Sequence, residues 1–555
     1  MGDLAIFNEI ILDLPQLGKL RGSTTTGAWT GREINQFLNV KYAEAPVGNL
    51  RFRKPKPVAP WTGIRDATQY GRRFPNPTDF EAIPEEEKFS ETWEDCLSLC
   101  VYTTNFQASR PVMVYIHGGS FTEGGSPHHP PNYLLEKDVV LVVPQYRLGP
   151  LGFLCLMTDA MPGNAAIFDV MLALEWVQQN IKQFGGDPNN VTLFGQSAGA
   201  AIVSILCLSS IVPENLFHRI ILQSGAAFGN WCFKEDGVKN EARKVAINSG
   251  KCNASSTDED ITSCLLEMDI KTLFRCCKGI GTKPVIGGPT GLLTESPHKI
   301  FLATGGRKNL AMMAGITKHE CGYVLIGFYD YIEATKGFKD TKFNSFHLIQ
   351  SILDRMKISD VTGAFAAYIS MVLFKQETLV KGNFEEMLNG LFDMFNTIHI
   401  KGPILKHAQL NSLNSNRTWL YSFDYEGEHT RHGYGADTSK YPFNGGVAHS
   451  NDNLYLFPWP EDKSKLNEKD TKMAQKMVDI WTSFAINGTP SCPGIERWPT
   501  METPIGPYLH IDKTSTVAQN FYDEFTIVSR AEKLRNTANN LREPKEMPLY
   551  EKSLL

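Results

Sequence analysis

A serine flanked by two glycines stands where a predicted strand ends and a predicted helix begins. The β-branched run Val191–Phe194 leads into Gly195-Gln196-Ser197-Ala198-Gly199, and an apolar helical segment follows from Ala200. Glycines on both sides permit the strained strand-to-helix turn that exposes a serine hydroxyl, and a helix N-terminus favours the negative charge that develops there. We therefore predict that Ser197 is a nucleophile; the alternative is a glycine-rich turn with a bystander serine.

A serine hydroxyl is a weak nucleophile at neutral pH, so it needs a base and a group that orients the base. In the expected chain order of nucleophile, acid and base, Glu320 follows a predicted strand and His449 lies in the loop Gly445–Asp452. His429 and His432 lie in a charged, glycine-rich segment and are interpreted as solvated. The residue pattern alone leaves His449 open between a base and a solvated histidine, and it favours an exposed loop position for Glu320.

Acyl transfer also needs backbone N–H groups aimed at the oxygen of the tetrahedral intermediate. The segment Tyr115–Phe121 contains His117-Gly118-Gly119-Ser120 directly after a predicted buried strand, and the N–H of Ala198 follows the nucleophile. Such amides are the usual donors of an oxyanion hole. The alternative interpretation of His-Gly-Gly is a simple turn.

Short apolar runs alternate with helical patterns in the first half of the chain, which predicts βα units around a mostly parallel sheet. From Asp169 to Phe184 the apolar residues repeat every three or four positions and stop at Gly185-Gly186, which predicts an amphipathic helix. A late helix contains Trp481–Ile486. The predicted strands are Val112–Ile116, Val139–Val143, Val191–Phe194, Ile220–Leu222, Asn309–Ala314 and Trp419–Tyr425.

Two segments interrupt this pattern and are interpreted as insertions on the sheet. Residues 232–300 are polar and rich in cysteine, and residues 325–400 are helical without a clear strand. There is no repeat, no low-complexity linker and no break in composition. We therefore predict one large catalytic α/β domain over residues 1–555, flanked by helices.

Charge and hydropathy exclude several classes of protein. The chain has 55 Lys and Arg against 60 Asp and Glu, a net charge of −5, so it lacks the basic excess expected of a nucleic-acid binder. The apolar stretch Ala198–Val212 is too short to span a bilayer, which takes about 20 residues. The first residues do not resemble a secretory signal. We expect a cytoplasmic protein; the alternative is a secreted protein whose signal peptide is absent from this chain.

The cysteines do not suggest a metal centre. There are 11 of them, an odd number, and none has CxxC spacing. Cys276 and Cys277 are adjacent, which is poor geometry for two ligands of one zinc ion. Neither a metal nor a cofactor is predicted. Cys252 and Cys264 bracket a polar loop and are the best candidates for a disulfide bond.

Many short motifs, in order along almost the whole chain, resemble the type B carboxylesterase and cholinesterase family of α/β-hydrolases, and the insect carboxylesterases in particular. They are Phe37-Leu38-Asn39-Val40-Lys41-Tyr42-Ala43, Pro46-Val47-Gly48, Leu50-Arg51-Phe52, Glu94-Asp95-Cys96-Leu97, His117-Gly118-Gly119, Tyr146-Arg147-Leu148-Gly149, Gly163-Asn164-Ala165, Phe184-Gly185-Gly186-Asp187-Pro188, Gly195 to Ala200, Gln223-Ser224-Gly225 and Gly446-Val447-Ala448-His449.

The resemblance implies a role for each candidate residue. It implies an α/β-hydrolase fold with Ser197 as the nucleophile, Glu320 as the acid and His449 as the base. It places the oxyanion donors on Gly119, Ser120 and Ala198. It also matches Trp231, in Phe228-Gly229-Asn230-Trp231, to a tryptophan of the acyl pocket, with a buried core tryptophan as the alternative.

Four positions depart from the family pattern. Gln196 replaces the usual glutamate, as in juvenile hormone esterases, and Ser120 replaces the third glycine of the oxyanion loop. Phe74 lies near the position of a cysteine that pairs with the equivalent of Cys96 in secreted relatives, so that disulfide is expected to be missing. Glu85-Glu86-Glu87 lie in a stretch without the choline-stacking tryptophan, which argues against a cholinesterase.

The sequence as a whole predicts a serine carboxylesterase that acts on small-molecule esters through an acyl-enzyme. Xenobiotic, odorant, lipid and hormone-like esters are all open as substrates. The alternative is a catalytically weak, cholinesterase-like binding or adhesion protein on the same fold, since a fold alone does not determine function. No oligomeric state is predicted.

Overall fold

The computed structural model describes residues 10–75, 93–234, 238–335, 337–431, 439–458 and 466–529. Within these ranges one sheet contains thirteen strands. The strands are β1 (Ile10–Leu14), β2 (Gly18–Thr26), β3 (Glu33–Lys41), β4 (Ile64–Asp66), β5 (Ser98–Thr103), β6 (Arg110–Ile116), β7 (Val140–Pro144), β8 (Gly186–Gln196), β9 (Arg219–Gln223), β10 (Ala311–Thr317), β11 (Thr418–Phe423), β12 (Tyr508–Ile511) and β13 (Thr516–Ala518).

The middle of the sheet is parallel and its edges are antiparallel. The spatial order is β1-β2-β3-β5-β7-β6-β8-β9-β10-β11-β12-β13, with β4 paired to β2. Strands β7, β6, β8, β9, β10, β11 and β12 pair in parallel, whereas β1, β2, β3, β5 and β7 pair antiparallel, as do β12 and β13. The carboxyl ends of the parallel strands therefore meet at one edge, where α/β proteins place their functional loops.

Helices cover both faces of the sheet, as expected when parallel strands are uniformly apolar. The helices are α1 (Gly149–Phe153), α2 (Ala165–Asn180), α3 (Ala198–Leu208), α4 (Val238–Asn248), α5 (Asp258–Leu266), α6 (Ile270–Cys276), α7 (Pro297–Thr304), α8 (Gly322–Ala334), α9 (Thr341–Phe346), α10 (Leu348–Arg355), α11 (Ala364–Leu373), α12 (Gln376–Lys381), α13 (Phe384–Asn396), α14 (Gly402–Ser412) and α15 (Glu468–Asn487). α2 and α3 pack into one apolar cluster and α15, with the fully buried Trp481, into the other.

The predicted α/β architecture with a mostly parallel sheet is confirmed, and so is the helical nature of the insertion 325–400; the insertion 232–300, for which no helices were predicted, is also largely helical. Helices α4 to α7 lie between β9 and β10, and α8 to α14 lie between β10 and β11 with no strand among their described residues. All six predicted strands are present with shifted ends. The bounds of the predicted helix Asp169–Phe184 are wrong at both ends. In the structure α2 starts at Ala165 and ends at Asn180, and the residues that follow, Ile181–Phe184, form a 3-10 helix.

All cysteines are thiols in this structure, and the side chains of Cys252 and Cys264 lie within hydrogen-bonding reach of each other. The Cys264 thiol lies 3.6 Å from the Ser249 hydroxyl, and the Cys252 thiol 3.8 Å from the Asp260 carbonyl. The bridge between Cys252 and Cys264 therefore stays a prediction. Phe74 is buried in the core, and the Cys96 thiol donates to the Arg73 carbonyl at 3.2 Å.

No helix among the described residues combines the length and the apolar composition needed to cross a membrane. The assignments of residues 1–555 to one domain and of the protein to the cytoplasm stay predictions. His432 and the acidic run Glu85-Glu86-Glu87 lie outside the described residues.

Candidate active site

Ser197 occupies the sharp turn between β8 and α3, as the glycine pattern predicts. Its backbone has φ 54° and ψ −123°, a conformation that costs a non-glycine residue energy. Both neighbouring glycines are required by space, because a Cβ on Gly199 would overlap the Ile116 carbonyl and one on Gly195 would press on Gly199. The Ser197 amide donates to the Gln223 carbonyl of β9 at 2.8 Å, which anchors the turn to the sheet.

The structure brings Glu320 and His449 into direct contact. His449 Nδ1 lies 2.6 Å from Glu320 Oε2, and the other carboxylate oxygen accepts the Thr317 amide at 2.7 Å. Glu320 is 0% exposed and His449 3% exposed, so neither is the solvated loop residue that the pattern alone allowed. A carboxylate at Nδ1 fixes the tautomer that leaves Nε2 as the proton acceptor.

The two loops that carry these residues are joined by one main-chain hydrogen bond and one from a main-chain amide to a side chain. The His319 amide donates to the Val447 carbonyl at 2.9 Å, and the Val447 amide lies 3.0 Å from His319 Nδ1. Gly446 has a φ of 50°, and a Cβ there would overlap the His319 ring. The loop after β10 and the loop that carries His449 therefore form one unit, although they lie far apart in sequence.

His449 Nε2 contacts Gln196 rather than Ser197. The Gln196 amide nitrogen lies 3.1 Å from His449 Nε2. The hydrogen bonds of the described residues include none made by the Ser197 hydroxyl. The structure thus brings Glu320, His449 and the serine turn together. Gln196, the residue before the serine, occupies the position beside Nε2 from which the imidazole would take a proton.

The oxyanion loop packs directly against the serine turn. A Cβ on Gly118 would lie 3.1 Å from the Ser197 Cβ, and Gly119 and Ser120 have φ angles of 116° and 53°. The Gly119 carbonyl accepts the amides of Thr122 and Glu123, which folds the loop back on itself. The amides of Gly119, Ser120 and Ala198 have no hydrogen-bond acceptor among the described residues. They remain available as donors.

Trp231 lies beside this loop. Its ring centroid is 5.9 Å from that of Phe121, the residue after Ser120, and its indole N–H donates to the His399 carbonyl at 2.8 Å. The residue is only partly buried, packed on the edge of the larger apolar cluster. Its position is thus compatible with a wall of the acyl side, and that role stays a prediction.

Two further residues that were not predicted from the sequence support the site. Asp452 is fully buried and accepts the Gln223 side-chain amide at 2.9 Å; burial raises its pKa to about 6, and the Glu320 carboxylate acts in the same direction. Tyr146 donates to the His117 carbonyl at 2.7 Å and so holds the start of the oxyanion loop. Tyr146 lies inside a quoted motif and Asp452 ends the loop that carries His449, but the sequence alone does not show what they contact.

One cluster among the described residues has the side-chain types of a metal site. Atoms of Asp424, His510 and Glu524 lie within 4.8 Å of one another. His510 Nδ1 lies 3.0 Å from Asp424 and Nε2 lies 3.6 Å from Glu524, so its two ring nitrogens face different carboxylates. This arrangement suits an imidazolium bridging two acids better than three ligands around one ion.

A mostly parallel α/β sheet with a serine on the turn after a central strand defines the α/β-hydrolase class. Comparison with known families places the chain within it: the model of the carboxylesterase family matches residues 8–527. The chain therefore belongs to the carboxylesterase family.

Several known proteins are similar to the chain over most of its length. It is 32% identical over 520 residues to carboxylesterase 3B of Mus musculus, covering 88% of this chain and 84% of that protein. It is 31% identical over 490 residues to juvenile hormone esterase of Tribolium castaneum, covering 83% and 80%. Glutactin of Drosophila melanogaster is 30% identical over 518 residues, which cover 90% of this chain but only 49% of glutactin.

Proposed function

We propose that this protein is a serine carboxylesterase that hydrolyses carboxylic esters through an acyl-enzyme on Ser197. The observation that carries the proposal is the 2.6 Å contact between His449 and the buried Glu320, beside a serine in a strained strand-to-helix turn. The family membership and the carboxylesterases among the relatives support ester hydrolysis.

The proposed mechanism follows from the positions of these groups. Glu320 accepts a hydrogen bond from His449 Nδ1–H, so Nε2 takes the proton of the Ser197 hydroxyl as Oγ attacks the ester carbonyl carbon, and the carboxylate stabilises the imidazolium that forms. The amides of Gly119, Ser120 and Ala198 donate to the oxyanion that forms. His449 then protonates the leaving alcohol, and water repeats the attack on the acyl-enzyme. The Gln196 amide must leave Nε2 before the first step.

The substrate class is a small carboxylic ester whose acyl group lies against Trp231. Xenobiotic, odorant, lipid and hormone-like esters are the proposed candidates. One relative is named juvenile hormone esterase, so juvenile hormone belongs in the substrate panel beside 1-naphthyl acetate and p-nitrophenyl esters of increasing length.

Labelling and substitution of Ser197 test the proposal directly. Ser197→Ala should lower turnover by at least about 10³-fold, and an organophosphate should leave its adduct on the peptide that contains Ser197. Glu320→Gln should lower turnover by roughly 10³- to 10⁴-fold because the histidine tautomer is no longer fixed. Ser370→Ala, on α11, is the control and should retain full activity. An adduct on another residue, or turnover that survives Ser197→Ala, would contradict the assignment.

A catalytically weak binding or adhesion protein is the second candidate. The contact of the Gln196 amide with His449 Nε2 favours it, because this contact competes with the serine for the base. The two candidates differ in turnover: ordinary enzymes have kcat values of about 1–10³ s⁻¹. A kcat below about 10⁻² s⁻¹ on every ester of the panel, with correctly folded protein, would favour the second candidate.

A further inference from the structure

His399 lies in a widened helical turn whose cause can be read from the chain. Residues Thr397–Lys401 form a π-helical turn between α13 and α14, in which the Gly402 amide donates to the Thr397 carbonyl five residues back. Pro403 follows, and proline has no N–H to donate to the residue four positions earlier. The His399 carbonyl is thereby released from the helix, and it accepts the Trp231 indole N–H instead. Turns of this type are frequent at functional sites.

The His399 side chain is held in a defined protonation state. Nδ1 lies 3.0 Å from Asn230 Oδ1, and the ring stacks on Phe395 at 6.0 Å with an interplanar angle of 5°. Burial lowers the pKa of His399 to about 4, and the Lys283 ammonium acts in the same direction, so the imidazole is neutral at neutral pH. Since a carboxamide oxygen can only accept, Nδ1 carries the proton and Nε2 is the acceptor.

His399 Nε2 remains available to a ligand. The residue keeps part of its surface exposed, and no described residue provides a hydrogen-bond partner for Nε2. A fully enclosed nitrogen of this kind would be costly, whereas one on a binding surface can be satisfied by substrate.

This turn and the end of α13 contact both sides of the candidate active site. Through its carbonyl His399 holds Trp231, which packs against Phe121 of the oxyanion loop. On the preceding turn, the Asn396 side chain accepts the Cys321 amide at 2.7 Å, one residue after Glu320. The imidazole therefore belongs to the segment that joins the acyl-side tryptophan to the loop of the acid.

We propose that His399 is a specificity residue that hydrogen-bonds a hydroxyl group on the acyl chain of the substrate. The preferred substrates are then hydroxyacyl esters, whose hydroxyl can donate to Nε2. This inference rests on the proposed esterase function and adds the chemistry of its acyl group. A site built to bond a hydroxyl discriminates against the analogue that lacks it, because its own polar group is left unpaired.

Matched pairs of esters measure this preference. The p-nitrophenyl esters of β-hydroxybutyrate and butyrate form one pair, and those of ω-hydroxyhexanoate and hexanoate form another. For at least one pair, we expect the wild-type kcat/KM to favour the hydroxyacyl ester by about five- to tenfold after correction for spontaneous hydrolysis. His399→Phe should abolish the preference while the plain esters are still hydrolysed, because the backbone bond to Trp231 is retained.

Two further variants separate specificity from structure. His399→Gln, which keeps a hydrogen-bonding group, should restore part of the hydroxyl preference. His298→Phe, at a partly exposed histidine of α7, should leave the ratio unchanged. A wild-type ratio near one for both pairs, or a preference that survives His399→Phe, overturns the inference. Failure to hydrolyse any ester overturns the proposed function instead, so the two failures are distinguishable.

Discussion

Gln196 is the side chain that decides what His449 Nε2 contacts in this structure. Its amide lies 3.1 Å from Nε2, at the position for which the family resemblance implies a glutamate. A neutral amide gives no charge preference between imidazole and imidazolium, whereas a carboxylate at this distance favours the imidazolium. The residue before the nucleophile is therefore expected to set the pH range in which the base works.

Gln196→Glu should move the acid limb of the kcat/KM profile to higher pH. The base must be neutral to accept the serine proton, and an ordinary imidazole has a pKa of about 6.5. When the protonated imidazole is stabilised, a higher pH is needed to keep the base neutral. Activity is therefore lost at a higher pH on acidification. The measurement is kcat/KM for p-nitrophenyl acetate between about pH 5 and 9, with Gln178→Glu on α2 as control. An unmoved or lowered acid limb would contradict the prediction.

Ser120 combines a positive φ with an exposed position in the oxyanion loop. A serine at φ 53° is strained where a glycine is not, but its amide is the same donor. Ser120→Gly should therefore change kcat for small esters by less than about tenfold, well below the 10²–10³-fold effect of a lost donor. Ser120→Ala keeps the backbone strain and removes only the hydroxyl, so it separates the two causes. A gain above about a hundredfold with glycine would show that the natural loop is a defective oxyanion hole.

The turn between α13 and α14 connects helix geometry to the acyl side of the site. Pro403→Ala restores an N–H that can donate to the His399 carbonyl, in competition with the Trp231 indole. The tryptophan should become less firmly placed, and kcat/KM for branched acyl esters should rise relative to acetate by about two- to tenfold. Trp231→Leu should change the same ratio in the same direction and by more. If Trp231→Leu shifts the ratio and Pro403→Ala does not, the carbonyl does not position the indole.

Arg147, from one of the family motifs, builds the scaffold rather than the site. Arg147 and Asp169 form a fully buried ion pair in which the guanidinium contacts both carboxylate oxygens, at 2.6 and 2.8 Å. Asp169→Asn leaves the guanidinium uncompensated and should lower the free energy of unfolding by about 3–5 kcal/mol. Chemical denaturation measures this loss. Asp187→Asn, in a partly exposed loop-side position of β8, is the control; a loss below about 1 kcal/mol at Asp169 would contradict the expectation.

Most of the strands that could be predicted contain a short apolar, buried run that lies between helical patterns, although β5 was missed with all of its residues buried. The apolar runs of β6, β7, β9, β10 and β11 were located to within a few residues because both of their faces are covered, and so was the end of β8; its polar first half, residues 186–190, gave no such signal. The edge strands β1 and β2 were missed because they alternate exposed and buried residues and contain glycine, lysine and threonine. Their pairing depends on neighbours that a single sequence does not display.

The residues of the candidate site also differ in how far they could be predicted from the sequence. Ser197 is recognisable from its own neighbours, since the two glycines and the flanking elements act locally. Glu320 and His449 depend on contacts between distant loops, so the pattern alone left them open and the family resemblance selected them. His399 carried no local signal, because the role proposed for it depends on a proline four residues later and a tryptophan more than a hundred residues earlier.

The C-terminal part of the described chain is tied to the sheet by a charged cluster. His510 of β12 lies between Asp424, just after β11, and Glu524 of the 3-10 helix Phe521–Thr526. These carboxylates raise the pKa of His510 against the effect of burial, and Lys318 opposes them. Lys401 also faces this cluster, donating to the Glu524 main-chain carbonyl at 2.6 Å. Protonated His510 therefore joins three separate segments of the molecule.

Stability should depend on pH through this cluster. Because the folded pKa of His510 is raised, its contribution is fully present below the unfolded value of about 6.5 and is lost as pH rises through the folded pKa. The free energy of unfolding of wild type should exceed that of His510→Asn by about 1–2 kcal/mol at about pH 6, and the excess should shrink by about pH 9. His298→Asn gives the opposite slope, because burial lowers the pKa of His298. An excess for His510 that is constant or grows with rising pH would show that the bridging imidazolium does not form.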